Sequence, residues 1–319
     1  MRLDLALIRR HPELSRRKAR AAIEKGQVDV DGEAVVEPGR EVAPSAAIRW
    51  DVNRKARSRA RASLPVLYRD DWLVIVDKPA GLLSVPTTPE SEEDTVLRRV
   101  QEFARHLRPG RPYAAAVHRL DRDTSGALAF ALTPKARAPL RDLFRAHRIE
   151  RRYLALVEGA PRGDRGEVEA PLFEGYEGGR RRVARAGEPG REALTRFSVR
   201  ERFPGAALLE VELGTGRQHQ IRVHLAHVGL PVLGDEVYGP APAARHVVSA
   251  PRQMLHAWRL AFRHPGTGAA VAVESAPPDD FVRVLDVLRR RPPRASGSAA
   301  LSGGRRGPGE RPGTRRRRP

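Results

Sequence analysis

The 319-residue sequence predicts an α+β protein with a small N-terminal domain and a larger second one. Stretches with apolar residues at helical spacing are interleaved with shorter runs that alternate or are wholly apolar, as strands do. Residues 51–64, Asp-Val-Asn-Arg-Lys-Ala-Arg-Ser-Arg-Ala-Arg-Ala-Ser-Leu, are basic and lack a sustained apolar period, so they read as a linker. The expected order is a module at 1–50, the linker at 51–64, the larger domain at 65–290 and a tail at 291–319.

In the module, Leu3, Leu7 and Ile8 have helical spacing until Pro12 stops the helix. Ser15 can cap a second helix, Arg16 to Lys25, with Ala19, Ala22 and Ile23 on its apolar face and Gly26 placed to end it. The opposite face carries Arg16, Arg17 and Arg20. Val28-Asp29-Val30-Asp31-Gly32 alternates and turns at Asp-Gly, a hairpin signal leading to Val35 and Val36.

The larger domain opens with a hairpin, Val66 to Tyr68 and Trp72 to Val76, and Lys78-Pro79-Ala80-Gly81 is a turn by composition. Thr95 to Leu107 is an amphipathic helix, with Val96, Leu97, Val100, Phe103 and Leu107 apolar. Ala127 to Leu132, bounded by Pro134, has the length and composition of a buried strand, and Lys135 to His147 reads as a helix. Arg151 to Gly159 is a strand with Tyr153, Ala155 and Val157 on one face. Residues 174–192, rich in Gly and Arg, read as a mobile loop. Leu194 to Arg200 and Ala207 to Leu213 alternate like neighbouring strands, Ala270 to Val273 is a last strand and Pro277 to Arg290 a last helix. From about Arg291 the Pro, Gly, Ser and Arg content predicts disorder.

Composition limits the function classes. Lys+Arg 59 against Asp+Glu 39 gives a net charge of +20, which implies a polyanionic partner, nucleic acid first. The absence of cysteine excludes a disulfide framework and a thiolate metal site. No apolar stretch approaches the roughly 20 residues that span a bilayer, and the N-terminus has no signal-like apolar segment, so a soluble cytoplasmic protein is expected.

The chemistry is expected at His118-Arg119-Leu120-Asp121-Arg122-Asp123-Thr124-Ser125-Gly126, a charged run leading straight into a core strand. A carboxylate there can be partly dehydrated and paired with a fixed guanidinium; the same residues also suit a surface ion-pair cluster that contributes little stability. This stretch closely resembles the central signature of the RluA-like pseudouridine synthases, which isomerise uridine within RNA. The resemblance makes Asp121 the catalytic residue. It extends to the Lys78-Pro79-Ala80-Gly81 turn, to Gly234-Asp235-Glu236-Val237-Tyr238-Gly239 and to Leu255 to Phe262, which read as scaffold and cleft edges.

Tyr153 would by residue type be core; the resemblance implies that it packs against the target base. Gly214-Thr215-Gly216-Arg217-Gln218-His219-Gln220-Ile221-Arg222 lacks the third glycine of a dinucleotide fingerprint, and His219, His224 and His227 have no carboxylate or thiolate at metal-site spacing. It resembles instead the family's motif whose basic residue pairs with the catalytic aspartate, a role that falls to Arg222. Residues 1–50 resemble the small RNA-binding domain named after ribosomal protein S-four, whose basic helix tracks phosphates. That resemblance assigns Arg16, Arg17 and Arg20 to RNA binding, and Arg119 is a further RNA-binding candidate.

The resemblance implies a catalytic domain built on a mixed, mainly antiparallel sheet with flanking helices, the pseudouridine synthase fold. It implies an isomerase that needs no metal and no organic cofactor and everts its uridine from the stack. The pairing of modules points to large-subunit (23S) ribosomal RNA, with transfer RNA as the alternative. A noncatalytic RNA-binding or ribosome-assembly factor and a glycosidic-bond hydrolase stay open as other readings of the residues.

Overall fold

The computed structural model describes residues 1–24, 26–52, 64–88, 90–91, 93–240 and 248–292. Most of the expected linker and tail, and Lys25, lie outside the described residues. The chain divides into two compact units: 1–122, 127–143 and 265–268 in the first, and 123–126, 144–264 and 269–319 in the second.

The first unit begins with α1 (Leu3–Arg10) and α2 (Arg16–Glu24). Ser15 Oγ accepts the Lys18 N–H at 3.3 Å, the expected cap. Asp31 and Gly32 both have positive φ, 54° and 84°, as a type I′ turn requires, and join β1 (Val28–Val30) to β2 (Glu33–Val35). A third strand, β3 (Ile48–Trp50), pairs antiparallel with the other edge of β1 and was not expected; three residues are too few to show alternation. Leu3, Leu7, Ala19, Ile23, Val28 and Val35 form a core drawn only from residues 3–50.

The same unit contains the antiparallel hairpin β4 (Val66–Arg69) and β5 (Leu73–Lys78). It also contains α3 (Val96–Leu107), capped by Thr95, and the short β6 (Ala115–Ala116), antiparallel to β7 (Ser125–Ala131), whose residues 127–131 belong to this unit. Every residue of β7 is buried, which accounts for its unbroken run of small and apolar side chains. The helix α4 (Pro134–Arg145) starts on a proline and stops before His147, which turns the chain at φ 55°.

The second unit is a mixed, mainly antiparallel sheet with helices. The first two residues of β7 run parallel to β14 (Leu255–Arg263). From β14 the order continues antiparallel through β8 (Ile149–Glu158), β13 (Ala206–Leu213), β12 (Leu194–Phe203) and β9 (Arg165–Glu169), and β15 (Ala270–Glu274) also pairs with β14. The helix α6 (Asp279–Arg289) lays Phe281, Val284, Leu285 and Leu288 against Leu154, Leu156 and Leu208 of the sheet.

Most of residues 174–192, expected as a loop between strands, join β10 (Leu172–Phe173) to β11 (Gly190–Arg191), which pair antiparallel. Arg182 binds Glu177 and Glu188, Arg185 binds Glu177, and Arg191 binds Glu174. The arginines are largely committed to the hairpin itself. Among the described residues no helix is long and apolar enough to cross a membrane.

Candidate active site

In the first unit, the loop between β6 and β7 carries Asp121, half-buried, with both of its neighbours fixed. Ser84 Oγ donates to the Leu120 carbonyl at 2.6 Å and accepts the Leu120 N–H at 3.0 Å. The fully buried Lys78, at the end of β5, donates to the carbonyls of Arg122 at 2.7 Å and Pro79 at 2.9 Å. His118 Nε2 accepts the Ala129 N–H at 3.0 Å. The Lys-Pro-Ala-Gly turn therefore does more than reverse the chain: it holds a cation beneath the Asp121 loop.

In the second unit, residues 123–126 are anchored by the segment that leads into β14. Arg252 Nη1 donates to the Asp123 carbonyl at 2.9 Å, while its Nε and Nη2 take a bidentate grip on Asp280 of α6 at 2.6 and 2.9 Å. Burial pushes the Asp280 carboxyl up, but the Arg252 contacts outweigh it and leave the group below its ordinary value. Gln253 Nε2 donates to Thr124 Oγ1 at 3.0 Å. His256 Nε2 faces the Ser275 carbonyl, which can only accept, so its Nδ1 accepts from Ser125 Oγ at 3.0 Å. Gly126, at φ 113°, lets β7 approach β14: a Cβ there would lie 2.2 Å from the Ala257 carbonyl oxygen.

Tyr153 is buried on β8, opposite Val211 of β13, and the β8–β14 register shifts between His256 and Arg259. The helix α5 (Gln220–His227) holds Arg222, whose Nε and Nη2 grip Asp235 at 2.7 and 2.9 Å with both side chains almost wholly enclosed. Asp235 also accepts the N–H groups of Val237 and Tyr238. Burial raises its pKa, yet these donors and the Arg222 charge bring it below the ordinary carboxylate value. The Arg222 guanidinium lies over the Tyr238 ring, 4.9 Å from its centre. The Tyr238 hydroxyl is 2.7 Å from His219 Nδ1 and accepts the Arg181 N–H, so the arginine-rich hairpin is tied to the same cluster.

The chain before α5 is set by Gln220, whose Oε1 accepts from Thr215 Oγ1 at 2.7 Å and from the Arg217 N–H at 2.9 Å. Its Nε2 donates to the Leu194 carbonyl and to Thr195 Oγ1. His224 is sealed beneath, between Thr195 Oγ1 and the Ala170 carbonyl, and burial lowers its pKa. These bonds give His219 and His224 structural work, and among the described residues no cluster of three or more His, Asp or Glu could hold a metal ion.

Residues 72–227 match the family described as RNA pseudouridylate synthase, and residues 1–48 match the S4 domain. The chain is 38% identical to the ribosomal large subunit pseudouridine synthase D of Nitrosomonas europaea, over 92% of this chain and 86% of that protein. The chain belongs to the RluA family of pseudouridine synthases. It is an isomerase with an N-terminal S4 RNA-binding domain. The large subunit synthase D of Pseudomonas aeruginosa is 34% identical over 91% of this chain and 92% of that protein. The solved structure of human RNA pseudouridylate synthase domain containing 4 superposes with a TM-score of 0.59 at 25% identity, covering 72% of this chain and 94% of that one.

For this RluA-family member, the residues singled out from sequence fall on both units. Asp121 and the exposed Arg119 belong to the first, Tyr153 and Arg222 to the second. Arg17 and Arg20 are exposed on α2; Arg16 is exposed too, but its Nε is 3.5 Å from the buried Asp4 carboxylate and is partly committed to the fold. Three supporting residues escaped the sequence reading: Lys78, Asp235 and Arg252. Lys78 and Asp235 sit in Pro/Gly-rich turns whose composition announces a turn and hides the contact, and Arg252 stands in a stretch with no period.

Proposed function

We propose that this synthase modifies large-subunit ribosomal RNA in the cytoplasm, with Asp121 as its catalytic group, Tyr153 against the target uracil and Arg222 as the basic residue that balances the carboxylate. The observation that carries the substrate is the full-length likeness to large subunit synthases, the S4 domain included. The S4 module supplies affinity and register through phosphate contacts, to which the exposed Arg17 and Arg20 of α2 contribute.

The reaction breaks the bond from uracil N1 to ribose C1′, turns the base, forms a bond from C5 to C1′, releases the C5 proton to solvent and returns a proton to N1. Ionised Asp121 either attacks C1′ or takes a proton from C2′. Base eversion costs a few kcal/mol, which stacking on Tyr153 and phosphate contacts offset. The fixed neighbours of Asp121 support this role, because a loop pinned on both sides presents its carboxylate without first being ordered.

The test is tritium release from uridine labelled at C5, in large-subunit ribosomal RNA and in transfer RNA transcripts. Release from the ribosomal transcript alone is expected, with Asp121→Asn losing all of it while binding RNA within about twofold of the parent. Full release by Asp121→Asn would remove it from the chemistry, and release from transfer RNA alone would reassign the substrate.

A further inference from the structure

Among the described residues of the second unit, Arg151, Arg222 and Arg252 have strongly enclosed side chains, and Arg222 and Arg252 hold a carboxylate in a bidentate grip. The third, Arg151, does not. It is buried on β8, 7% exposed, and its Nη2 reaches only the carbonyls of Leu213 at 3.5 Å and Thr215 at 3.3 Å and His147 Nδ1 at 3.4 Å. Its Nε has no hydrogen-bond partner among the described residues. Burial without a counter-charge lowers its pKa.

The groups around it are also basic. His147 stands in the α4–β8 turn, and its pKa is lowered by burial and then by the charges of Arg151 and Arg217. Arg217 spends its Nε on the Glu192 backbone carbonyl at 3.1 Å. Among the described residues none of the three makes an ion pair with a carboxylate. Arg151, the buried member of this cluster, is costly to the free protein, since a buried charge is ordinarily paired. Its cover is thin: a Cβ on the exposed Gly216 would lie 2.5 Å from Arg151 Nη1, so the residue against the guanidinium has no side chain.

We infer that Arg151, His147 and Arg217 form a binding site for a phosphodiester of the RNA. This rests on the reading of Tyr153 as the residue that packs on the target base. Arg151 lies two residues before Tyr153 on the same strand face, about 6.6 Å of strand rise away, a separation that the base and phosphate of one nucleotide can span. The planar fork of Arg151 suits two phosphate oxygens, and Arg217 and His147 bring further donors. The site completes its charge balance when substrate arrives.

Arg151→Met and Arg217→Met, in the full chain, test this against a large-subunit ribosomal RNA transcript. Dissociation constants are measured between 50 and 300 mM KCl, with urea unfolding and tritium release alongside. Each variant is expected to bind several-fold more weakly and to lose about one unit from the slope of log K against log salt. Arg151→Met should leave the unfolding midpoint of the free protein unchanged or raised. Unchanged slopes in both variants would overturn the inference whatever their stability, and if Arg151→Met does not fold, Arg217→Met decides alone. A parent protein that neither binds the transcript nor releases tritium would instead overturn the functional reading beneath it.

Discussion

Asp235 sits in a turn that composition alone would call passive, yet it gives the buried Arg222 a buried counter-charge. Asp235→Ala should therefore cost about 3–5 kcal/mol in urea unfolding, because it breaks a buried bidentate ion pair, and activity should fall with it. A loss below about 1 kcal/mol would mean that Arg222 is held by something else. His224 makes a second prediction. Its Nε2 faces a carbonyl and burial lowers its pKa, so the folded state holds it neutral while the unfolded chain protonates near the ordinary value of about 6.5. The unfolded state then binds the extra proton, so stability is complete above about pH 6.5 and declines as pH falls below it. His224→Gln should flatten that decline in thermal melts between pH 7.5 and 5.5; an equally steep decline would assign it to other groups.

At the scale of elements, the first two residues of β7 lie beside β14 in the second unit because residue 126 has no side chain. Gly126→Ala would set a methyl against the Ala257 backbone in a conformation hostile to L-residues, and a loss of about 3 kcal/mol or more is expected in urea unfolding. Elements that declare themselves through local chemistry were legible in the sequence: α2 by Ser15 and its apolar face, the β1–β2 turn by Asp31-Gly32, and β7 by its apolar run. The helix α5 was not, because Gln220 to Leu225 are buried on every side and leave no polar stripe to mark a period. The edge strand β9, Arg165-Gly-Glu-Val-Glu, buries only Val168 and so lacks an apolar signal. The hairpin at 172–191 was not legible as a hairpin because its contacts come from arginines meeting glutamates, pairings that composition counts but cannot match.

For the whole molecule, a net charge of +20 predicts that RNA affinity is strongly salt-dependent. Six or more phosphate contacts would lower it about 10³-fold or more between 50 and 200 mM salt, measured by filter binding. A drop under tenfold would imply recognition mainly through bases and shape. That charge is unevenly available, however. Glu188, bound by Arg182 and the Arg185 N–H, titrates at about 2 and so stays anionic at any physiological pH. A phosphate that came to Arg182 would have to evict a carboxylate already in place, an exchange of one anion for another with little net release of counterions. The hairpin thus meets a nucleic acid with its charges already paired and leaves attraction at a distance to other parts of the surface.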